Sequence, residues 1–458
     1  MSISRLFRRA YPSLFSLLYL LSWLPALSTE KAVPLPAALG SWQYCNKFGQ
    51  RVGLSRNNSD DVLTLKLKRK GMAQLPAFFK SSGPVLDGLD AAEAEVDDAG
   101  VEEICKFKSL QLLNLSHTMI TSKSIAPIAG LNKLRTLELS NTDLFSADIK
   151  PLAGMKSLRH LNLARTEVDD DAVSVLGKKN DWFSLRFYRC AITNDALKHL
   201  AKSLSLISLS VGGSKIDDDG LKFLAPLKNL IELDLSHCKI TDKGLSALFD
   251  FKKLSSLNLA QTKITDKGAA LVLTKMPSLD QICFSNTNLS KDCIASLGKA
   301  LGTKSKLFSI DLSENRRLDS TSFARLNELR TVKKLDLSGT DFSDKDLAAL
   351  KPMPALEQLI LSQTRLKNPD YSSLSRFKLL RLLKLSDNKF LGDGSIATLI
   401  KCKNLQELDL DGSMISDSAL VKLAKIPKLR HLDLFGTNVT AAALEAFRKA
   451  HPGLEIAY

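Results

Sequence analysis

The sequence has few of the residues that build metal centres or disulfide frameworks. Its 458 residues include seven cysteines and six histidines, spread widely along the chain. The odd number of cysteines and the absence of a Cys-x-x-Cys pair argue against a zinc site and against a small disulfide scaffold. We therefore expect no metal and no cofactor, and we interpret the cysteines as small buried apolar residues.

Signatures of catalysis are also missing from the sequence. It contains no G-x-S-x-G motif, no glycine-rich phosphate loop and no H-E-x-x-H motif. Serine and histidine are predicted on neighbouring strands, as for Ser140, His160 and Ser184, but an open, water-filled surface would orient and desolvate them poorly. The chain is predicted not to be an enzyme and to have no catalytic residues.

Long apolar runs are rare, and the one that exists lies at the N-terminus. Residues 14–27 are apolar apart from two serines and a proline, and small residues, Ala26 and Ser28, precede Thr29. Three basic residues come before this run: Arg5, Arg8 and Arg9. This layout is typical of a cleaved secretory signal peptide, because the run is shorter than a membrane-spanning helix. We expect an exported protein, periplasmic or extracellular; the alternative is a chain anchored in a membrane by an uncleaved N-terminal segment.

Aromatic residues make up only 6% of the chain, although 44% of it is hydrophobic. The aliphatic residues follow a repeated pattern, L-x-x-L-x-L-x-x-T-x-I, in fifteen units mostly 24 residues long. The units begin at Leu86, Leu110, Leu134, Leu158, Trp182, Leu206, Leu230, Leu254, Leu279, Leu307, Val332, Leu356, Leu380, Leu405 and Leu429. Self-similarity at this period indicates a stack of supersecondary units, not one globular core.

Each unit combines two periodicities. In "LIELDL" from Leu230, apolar residues alternate, as in a strand, so that Leu233 and Leu235 are predicted to point inward. The pair Thr241-Asp242 suits a helix N-terminus, and Leu245 then starts the apolar face of that helix. Eight of the fifteen units have threonine at the ninth position, where the chain is predicted to turn sharply. We interpret these threonines as a structural ladder of hydrogen bonds.

Through these fifteen repeated units the chain resembles the leucine-rich-repeat family over residues 62–458. Its 24-residue, Thr-type repeat looks most like that of exported bacterial members. It is similar to the cysteine-containing repeats of F-box proteins and, more distantly, to ribonuclease inhibitor. The resemblance implies an α/β solenoid, a horseshoe with a parallel concave sheet and convex helices. We expect a signal peptide (1–28), an N-terminal flank (29–61), an N-terminal cap (62–85), about fifteen repeats (86–453) and a C-terminal cap (454–458).

The chain is basic, with a formal charge of +15, or +12 once the three leader arginines are removed (15 − 3). Acidic residues nevertheless outnumber basic ones at the predicted concave positions, and the lysines concentrate on the helices and loops. No nucleic-acid partner is therefore expected, whereas the convex lysines could contact an anionic surface. A monomer is expected.

The seventh position of the repeats is mostly serine, alanine or glycine, and the two large exceptions are Tyr188 and Phe435. Two clusters of candidate partner-binding residues surround these rings. The first comprises His160, Arg165, Arg186, Tyr188 and Arg189; the second is His431 and Phe435, beside Asp409, Asp411 and Asp433. Tyrosine and arginine are enriched at binding hot spots.

The predicted function is that of a non-catalytic binding module, exported, which recognises a protein or another macromolecule on its concave face. One alternative is a membrane-anchored receptor or an envelope or surface-adhesion module. Another is an F-box-type adaptor scaffold. The last is disfavoured because the N-terminal flank has no F-box-like helical segment and the leader indicates export.

Overall fold

The computed structural model describes residues 40–45, 51–53, 62–74, 86–287, 289–301, 306–367 and 369–458. The predicted signal peptide lies outside these residues, as do most of the predicted flank and the second half of the predicted N-terminal cap. The chain divides into two units between Leu230 and Ile231.

The first unit is organised around short strands that follow one another at the repeat interval. Strand β1 pairs antiparallel with β2 and β3, and from β3 to β9 each strand pairs parallel with the next. The strands are β1 (Gly40–Cys45), β2 (Arg51–Gly53), β3 (Val62–Leu67), β4 (Gly88–Asp90), β5 (Leu112–Asn114), β6 (Thr136–Glu138), β7 (His160–Asn162), β8 (Ser184–Arg186) and β9 (Ser208–Ser210). The α-helices are Asp98–Ile104, Ile125–Ala129, Lys150–Ala153, Asp170–Leu176, Asn194–Leu200 and Asp218–Leu221. Single 3₁₀ turns are Gly71–Gln74, Ser122–Ser124, Ser146–Ile149 and Lys222–Leu224.

The second unit repeats the same arrangement, and its consecutive strands all pair parallel. Its strands are β10 (Glu232–Asp234), β11 (Ser256–Asn258), β12 (Gln281–Cys283), β13 (Ser309–Asp311), β14 (Lys334–Asp336), β15 (Gln358–Ile360), β16 (Leu382–Lys384), β17 (Glu407–Asp409), β18 (His431–Asp433) and β19 (Glu455–Ala457). The α-helices are Asp266–Lys275, Lys291–Leu301, Ser320–Phe323, Asp344–Ala349, Asp393–Leu399, Asp417–Leu423 and Ala441–Ala450. The 3₁₀ helices are Gly244–Leu248, Leu326–Glu328 and Tyr371–Arg376. No helix in the described ranges is long and apolar enough to cross a membrane.

The core lies between the sheet and the helices of each unit. In the repeat that starts at Leu254, the inward strand residues Leu257 and Leu259 are buried, and so is Ile264 after the turn. Helix residue Val272 of the same repeat is also buried. The central strand residues of consecutive repeats lie in register, which stacks the leucines into continuous rows. The predicted parallel sheet, with helices packed against its buried face, is therefore confirmed in both units.

The chain turns at the eighth position of every repeat, one residue earlier than the sequence predicts. Fifteen described residues have a positive φ, eleven of them not glycine, and all fifteen occupy the eighth position. Four are glycines, among them Gly213 with φ 73°. A Cβ at Gly213 would lie 2.6 Å from Cγ of Arg189, the eighth residue of the preceding repeat. Glycine at residue 213 suits the left-handed backbone and leaves room for the Arg189 side chain that covers it.

The ninth residue supports this turn from the inside. Thr262 Oγ1 donates to the Leu259 carbonyl at 2.6 Å, and Thr340 Oγ1 donates to the Leu337 carbonyl at 2.6 Å. Asn315, at the same position, spans two repeats: its Nδ2 donates to the Phe284 carbonyl at 2.8 Å and its Oδ1 accepts from Leu289 N. These bonds satisfy buried backbone groups, as the interpretation of a structural ladder expects.

A second ladder links the starts of neighbouring helices. The thirteenth residue of one repeat bonds to the twelfth residue of the next. In most linked repeats an aspartate of one repeat accepts from both the side-chain hydroxyl and the backbone N–H of one residue in the next repeat. Asp98, for example, accepts from Thr121 Oγ1 (2.7 Å) and from Thr121 N (2.8 Å). Where the later residue is the aspartate, the earlier one becomes the donor: Asn194 Nδ2 donates to Asp217 Oδ1 at 2.7 Å. The two positions are complementary, so the repeats that carry such a pair are joined on the helical side as well as through the sheet.

Candidate functional site

The exposed side of the sheet is formed by the fifth, seventh and eighth residues of the repeats and, in the second unit, by most third residues as well; we call it the sheet surface. In the first unit it holds Arg186, Tyr188 and Arg189 from one repeat and Arg165 from the repeat before. Arg165 N donates to the Tyr188 carbonyl at 2.7 Å, so the two chain segments lie side by side. Strands paired in this way are about 4.8 Å apart. The structure therefore brings these four predicted residues together; we call them the arginine patch.

The ring of Tyr188 lies within cation–π distance of two guanidinium groups. Its centroid is 5.4 Å from Cζ of Arg189 and 6.0 Å from Cζ of Arg165. Both arginines occupy eighth positions with left-handed backbone, φ 57° and 60°. The stem of Arg189 covers Gly213, as described above. These contacts restrict the ring and the two guanidiniums to one region of the surface.

His160 is the predicted member of this cluster that does not reach the surface. Its side chain is 5% exposed, because the third position of each strand from β4 to β9 is buried. The ring meets Phe183 edge to face, with centroids 5.9 Å apart. The expectation that His160 contacts a partner on the exposed sheet is therefore wrong, and the residue supports the surface from beneath.

Two half-buried titratable groups on the sheet surface near the arginine patch, Glu138 and His117, respond to its charge. Burial raises the pKa of Glu138, and nearby Arg186 lowers it again in part. Asn162 Nδ2 donates to Glu138 Oε2 at 2.6 Å. Burial lowers the pKa of His117; the charge of Glu93 raises this pKa, and the charge of Arg165 lowers it. The arginines of the patch therefore act on the pKa of one group in each of the two preceding repeats.

The second predicted cluster lies on the sheet surface of the other unit, near its C-terminal end. His431 Nε2 is 3.0 Å from Asp433 Oδ1, and its Nδ1 is 3.4 Å from Glu455 Oε2. Phe435 is 52% exposed, and its N–H donates to Asp411 Oδ1 at 2.8 Å. The histidine is therefore engaged by carboxylates, whereas the phenyl ring is presented to solvent.

The Leucine Rich repeat family profile matches five segments of the chain: residues 202–225, 227–249, 252–272, 328–351 and 401–424. Each matched segment belongs to the strand–turn–helix stack described above. The protein is a leucine-rich-repeat protein. None of the curated proteins compared with it matches its sequence.

Solved leucine-rich-repeat structures resemble the chain at low sequence identity. A leucine-rich-repeat protein of Leptospira interrogans is 17% identical to this chain, with a TM-score of 0.45. The matched region covers 83% of this chain and 98% of the Leptospira protein. An internalin from Listeria monocytogenes is 18% identical and covers 78% of this chain and 82% of its own, with a TM-score of 0.34. The ectodomain of an Arabidopsis thaliana membrane receptor kinase, GASSHO1/SCHENGEN3, is 17% identical and covers 91% of this chain and 51% of its own, with a TM-score of 0.41. These similarities concern the fold alone.

Many acidic residues of the leucine-rich repeats serve the turn after the strand. The carboxylate at the fifth position accepts the N–H of the seventh residue, as in Asp234 with Ser236 (3.0 Å) and Asp311 with Ser313 (2.9 Å). Asn258 makes the same bond to Ala260 N at 3.0 Å. Sequence reasoning treated these acids only as surface charge and missed this role. The alternation of aspartate and asparagine at one position was the available signal, because both residues stabilise such turns.

The cysteines of the leucine-rich repeats are placed as core residues. Six are described, and each is buried and takes part in no disulfide: Cys105, Cys190, Cys238, Cys283, Cys293 and Cys402. Burial raises the pKa of Cys190 to about 11 and that of Cys402 to about 12. No group of ligands that could hold a metal ion occurs within the described ranges. The side chain of Cys45 is outside them.

Proposed function

We propose that this leucine-rich-repeat protein is an exported, non-catalytic module that binds a protein through the sheet surface of its first unit. The observation that carries the proposal is the Tyr188 ring, held beside two guanidiniums in a seventh-position row that is otherwise filled by small residues in the first unit. A rigid ring flanked by arginines supplies apolar contact area and directional donors at little cost in conformational entropy. We also propose that His431 and Phe435 form a second, smaller contact surface, on the sheet surface of the second unit.

Several features support a binding role over catalysis. The arginine patch lies on an open surface, where water competes with any reacting group. Burial raises the pKa of the described cysteine thiols well above neutrality wherever a shift is resolved, so these cysteines are poor nucleophiles at pH 7. A rigid array of side chains on a regular sheet suits recognition of another molecule.

Export is part of the proposal and rests on the leader-like N-terminal residues. We expect the protein isolated from its natural source to begin near Thr29. N-terminal sequencing of that material tests this. A mature chain that starts at Met1 and is recovered from the cytoplasm would contradict it.

The partner-binding role is tested by the double substitution Tyr188→Ala/Arg186→Ala. The wild-type protein and the variant are used to capture partners from an envelope extract, and a recovered partner is then titrated against both. We expect the variant to bind about thirtyfold more weakly, since truncating a hot-spot residue typically costs about 2 kcal/mol. Circular dichroism should show the same fold for both proteins.

The matched control reverses the charge of three exposed lysines on the helical side, Lys243, Lys252 and Lys267. If the helical side bound an anionic lipid or polysaccharide, this variant would lose binding and the loss would depend strongly on salt. Wild-type affinity of the Tyr188→Ala/Arg186→Ala variant, together with failure of the lysine variant, would replace our proposal with surface adhesion.

A further inference from the structure

We propose that one edge of the second unit, where the helices end and the next strands begin, binds an acidic polysaccharide along three consecutive repeats. We call this surface the lysine edge; it consists of residues 374–381, 401–406 and 423–430. The arginine patch belongs to the other unit. The inference therefore goes beyond the proposed function and does not depend on it.

The three segments of the lysine edge lie side by side. Gln406 N donates to the Arg381 carbonyl at 2.7 Å, which joins the first two segments. Asn404 links all three, because its Nδ2 donates to the Lys378 carbonyl at 2.8 Å and its Oδ1 accepts from Lys428 Nζ at 2.7 Å. Neighbouring segments are held about 4.8 Å apart, as paired strands are. Basic side chains of successive repeats therefore form one continuous row.

The lysine edge contains eight basic residues and no acidic one. They are Arg376, Lys378, Arg381, Lys401, Lys403, Lys425, Lys428 and Arg430. Arg381 Nε is 3.2 Å from Glu357 Oε2, so the net charge with this acid included is +7 (8 − 1). The other seven basic residues are exposed.

Helix stability does not account for this concentration of charge. A cation at the C-terminus of a helix complements the helix dipole, but the effect is confined to the last turn. Lys428 and Arg430 lie more than one turn beyond the helix Asp417–Leu423. Like charges in one row repel each other, and a bound polyanion removes that cost.

Two open clefts indent the lysine edge. One has a volume of about 320 Å³, and the basic residues that line it are Lys378, Lys401 and Lys403. The other has a volume of about 460 Å³, and its lining includes Lys428, Arg430, Ile426, Pro427 and Leu454. The clefts are neighbours, because Asn404 lines the first and bonds to Lys428 of the second. Clefts of this size hold small rigid groups. Their mixture of cations and apolar walls suits sugar rings that carry anionic substituents.

The lining of these clefts favours a polysaccharide over a nucleic acid or a membrane. Single-stranded nucleic acids stack their bases on exposed aromatic rings. Phe377 in the first cleft is only 3% exposed, and the His451 ring in the second is half-buried against Phe447. A membrane-binding surface inserts several apolar side chains, whereas Leu379 is the one large apolar residue exposed on the lysine edge. Successive rings of an acidic polysaccharide present anions at regular intervals, as successive repeats present lysines.

The test uses the full chain with two probes that share one backbone, dextran sulfate and uncharged dextran. We expect dextran sulfate to bind and dextran not to bind, with an affinity that falls as salt rises from about 0.1 to about 0.5 M. Alginate, which carries carboxylates, is tested beside them; binding of either anionic polymer supports the inference and shows which anionic group is preferred. No binding of either, or tighter binding of single-stranded DNA or phosphatidylserine vesicles at the same salt, overturns it.

Substitutions then locate the binding site. We expect Lys401→Gln/Lys403→Gln/Lys428→Gln to weaken binding of the preferred polymer about tenfold or more and to reduce the slope of log affinity against log salt by about 2–3. Lys243→Gln/Lys263→Gln/Lys267→Gln removes the same charge from exposed positions elsewhere in the second unit and should change affinity less than about twofold. An equal loss in both variants would indicate general attraction to a basic protein and overturn the inference.

Lysine acetylation read by mass spectrometry gives a measurement that needs no variant. A saturating amount of the preferred polymer should slow the acetylation of the first three lysines and leave that of the control lysines unchanged. Equal protection of both sets contradicts the inference. The Tyr188→Ala/Arg186→Ala protein should bind the polymer as the wild type does, which separates this surface from the arginine patch. A loss in that protein as large as that of the Lys401→Gln/Lys403→Gln/Lys428→Gln protein would move the polymer to the arginine patch and overturn the inference.

Discussion

Replacing Leu257 with aspartate should unfold much of the second unit, at a cost of about 4 kcal/mol or more. Leu257 is 1% exposed at the centre of β11, in register with Leu233 on one side and Ile282 on the other. A carboxylate there would be surrounded by apolar side chains of three repeats and could not be hydrated without opening the stack. Because each repeat depends on its neighbours, the unfolding should spread beyond the repeat that contains Leu257. Urea unfolding followed by far-ultraviolet circular dichroism measures the loss.

The control is the neighbouring residue on the same strand. Ser256 is half-exposed on the sheet surface, between Glu232 and Gln281 of the adjacent strands. Ser256→Asp should change stability by less than about 1 kcal/mol, mostly through repulsion from Glu232. Equal stability of the Leu257→Asp and Ser256→Asp proteins would mean that the inward and outward positions have been assigned the wrong way round.

The repeat, its strands and its buried rows could be predicted from the sequence because apolar spacing alone determines them. The turn could not be located to the residue. Gly213 and Gly339 signal a left-handed conformation at the eighth position, but most repeats carry residues such as Arg165 or Gln261 there. In those repeats the surrounding hydrogen bonds impose a conformation that the residue itself disfavours.

The helix starts were predicted as local caps, and the structure adds a partner in the next repeat. Asp242 was expected to favour its own helix, but its carboxylate also accepts from Thr265 N at 2.9 Å, 23 residues away. The reversed pair, Asn194 with Asp217, carries a signal that pattern reading could have used. It was missed because the two positions were considered within one repeat and not across the boundary between repeats.

The candidate site was predictable only in part. Tyr188 and Arg189 follow the strand, where the turn directs side chains to the surface, and both residues lie as the alternation predicts. His160 lies within a strand of three residues, and strict alternation would expose it. The stacked repeats bury it, because Phe183 from the next repeat covers its ring. Burial of this kind depends on a side chain from the neighbouring repeat, so the alternation of residues along one strand cannot predict it.

Asp336→Asn should stabilise the second unit at pH 8 by roughly 2–4 kcal/mol, and this gain should disappear by about pH 4. Asp336 is 3% exposed, and its strand lies in register with Asp311. Burial, followed by the charge of Asp311, raises the pKa of Asp336 to about 7, while Ser338 and Lys334 act in the opposite direction. Above that pH the folded chain must hold a buried carboxylate beside another.

The direction of the pH effect follows from proton binding. In the unfolded chain Asp336 titrates near 3.8, so between that pH and about 7 the folded chain binds a proton that the unfolded chain does not. The contribution of Asp336 to stability is therefore greatest at acidic pH and is lost as the pH rises through about 7. Asparagine has no charge to bury, so the variant and the wild type should diverge over this interval.

The chain's own repeats indicate that asparagine fits at this position. Asn162 occupies the equivalent place in β7; its Oδ1 accepts from Ala164 N at 2.9 Å, and its Nδ2 donates to Glu138 Oε2 on the adjacent strand. In the Asp336→Asn protein the amide oxygen can keep the bond from Ser338 N (2.9 Å), and the NH₂ group can donate to Asp311. Asp234→Asn is the matched control, since it has the same turn bond but is half-exposed, and it should change stability by less than about 0.5 kcal/mol. Urea unfolding of the three proteins at pH 4, 6 and 8 distinguishes the outcomes: a constant difference between Asp336→Asn and wild type across this range would show that Asp336 does not take up a proton on folding.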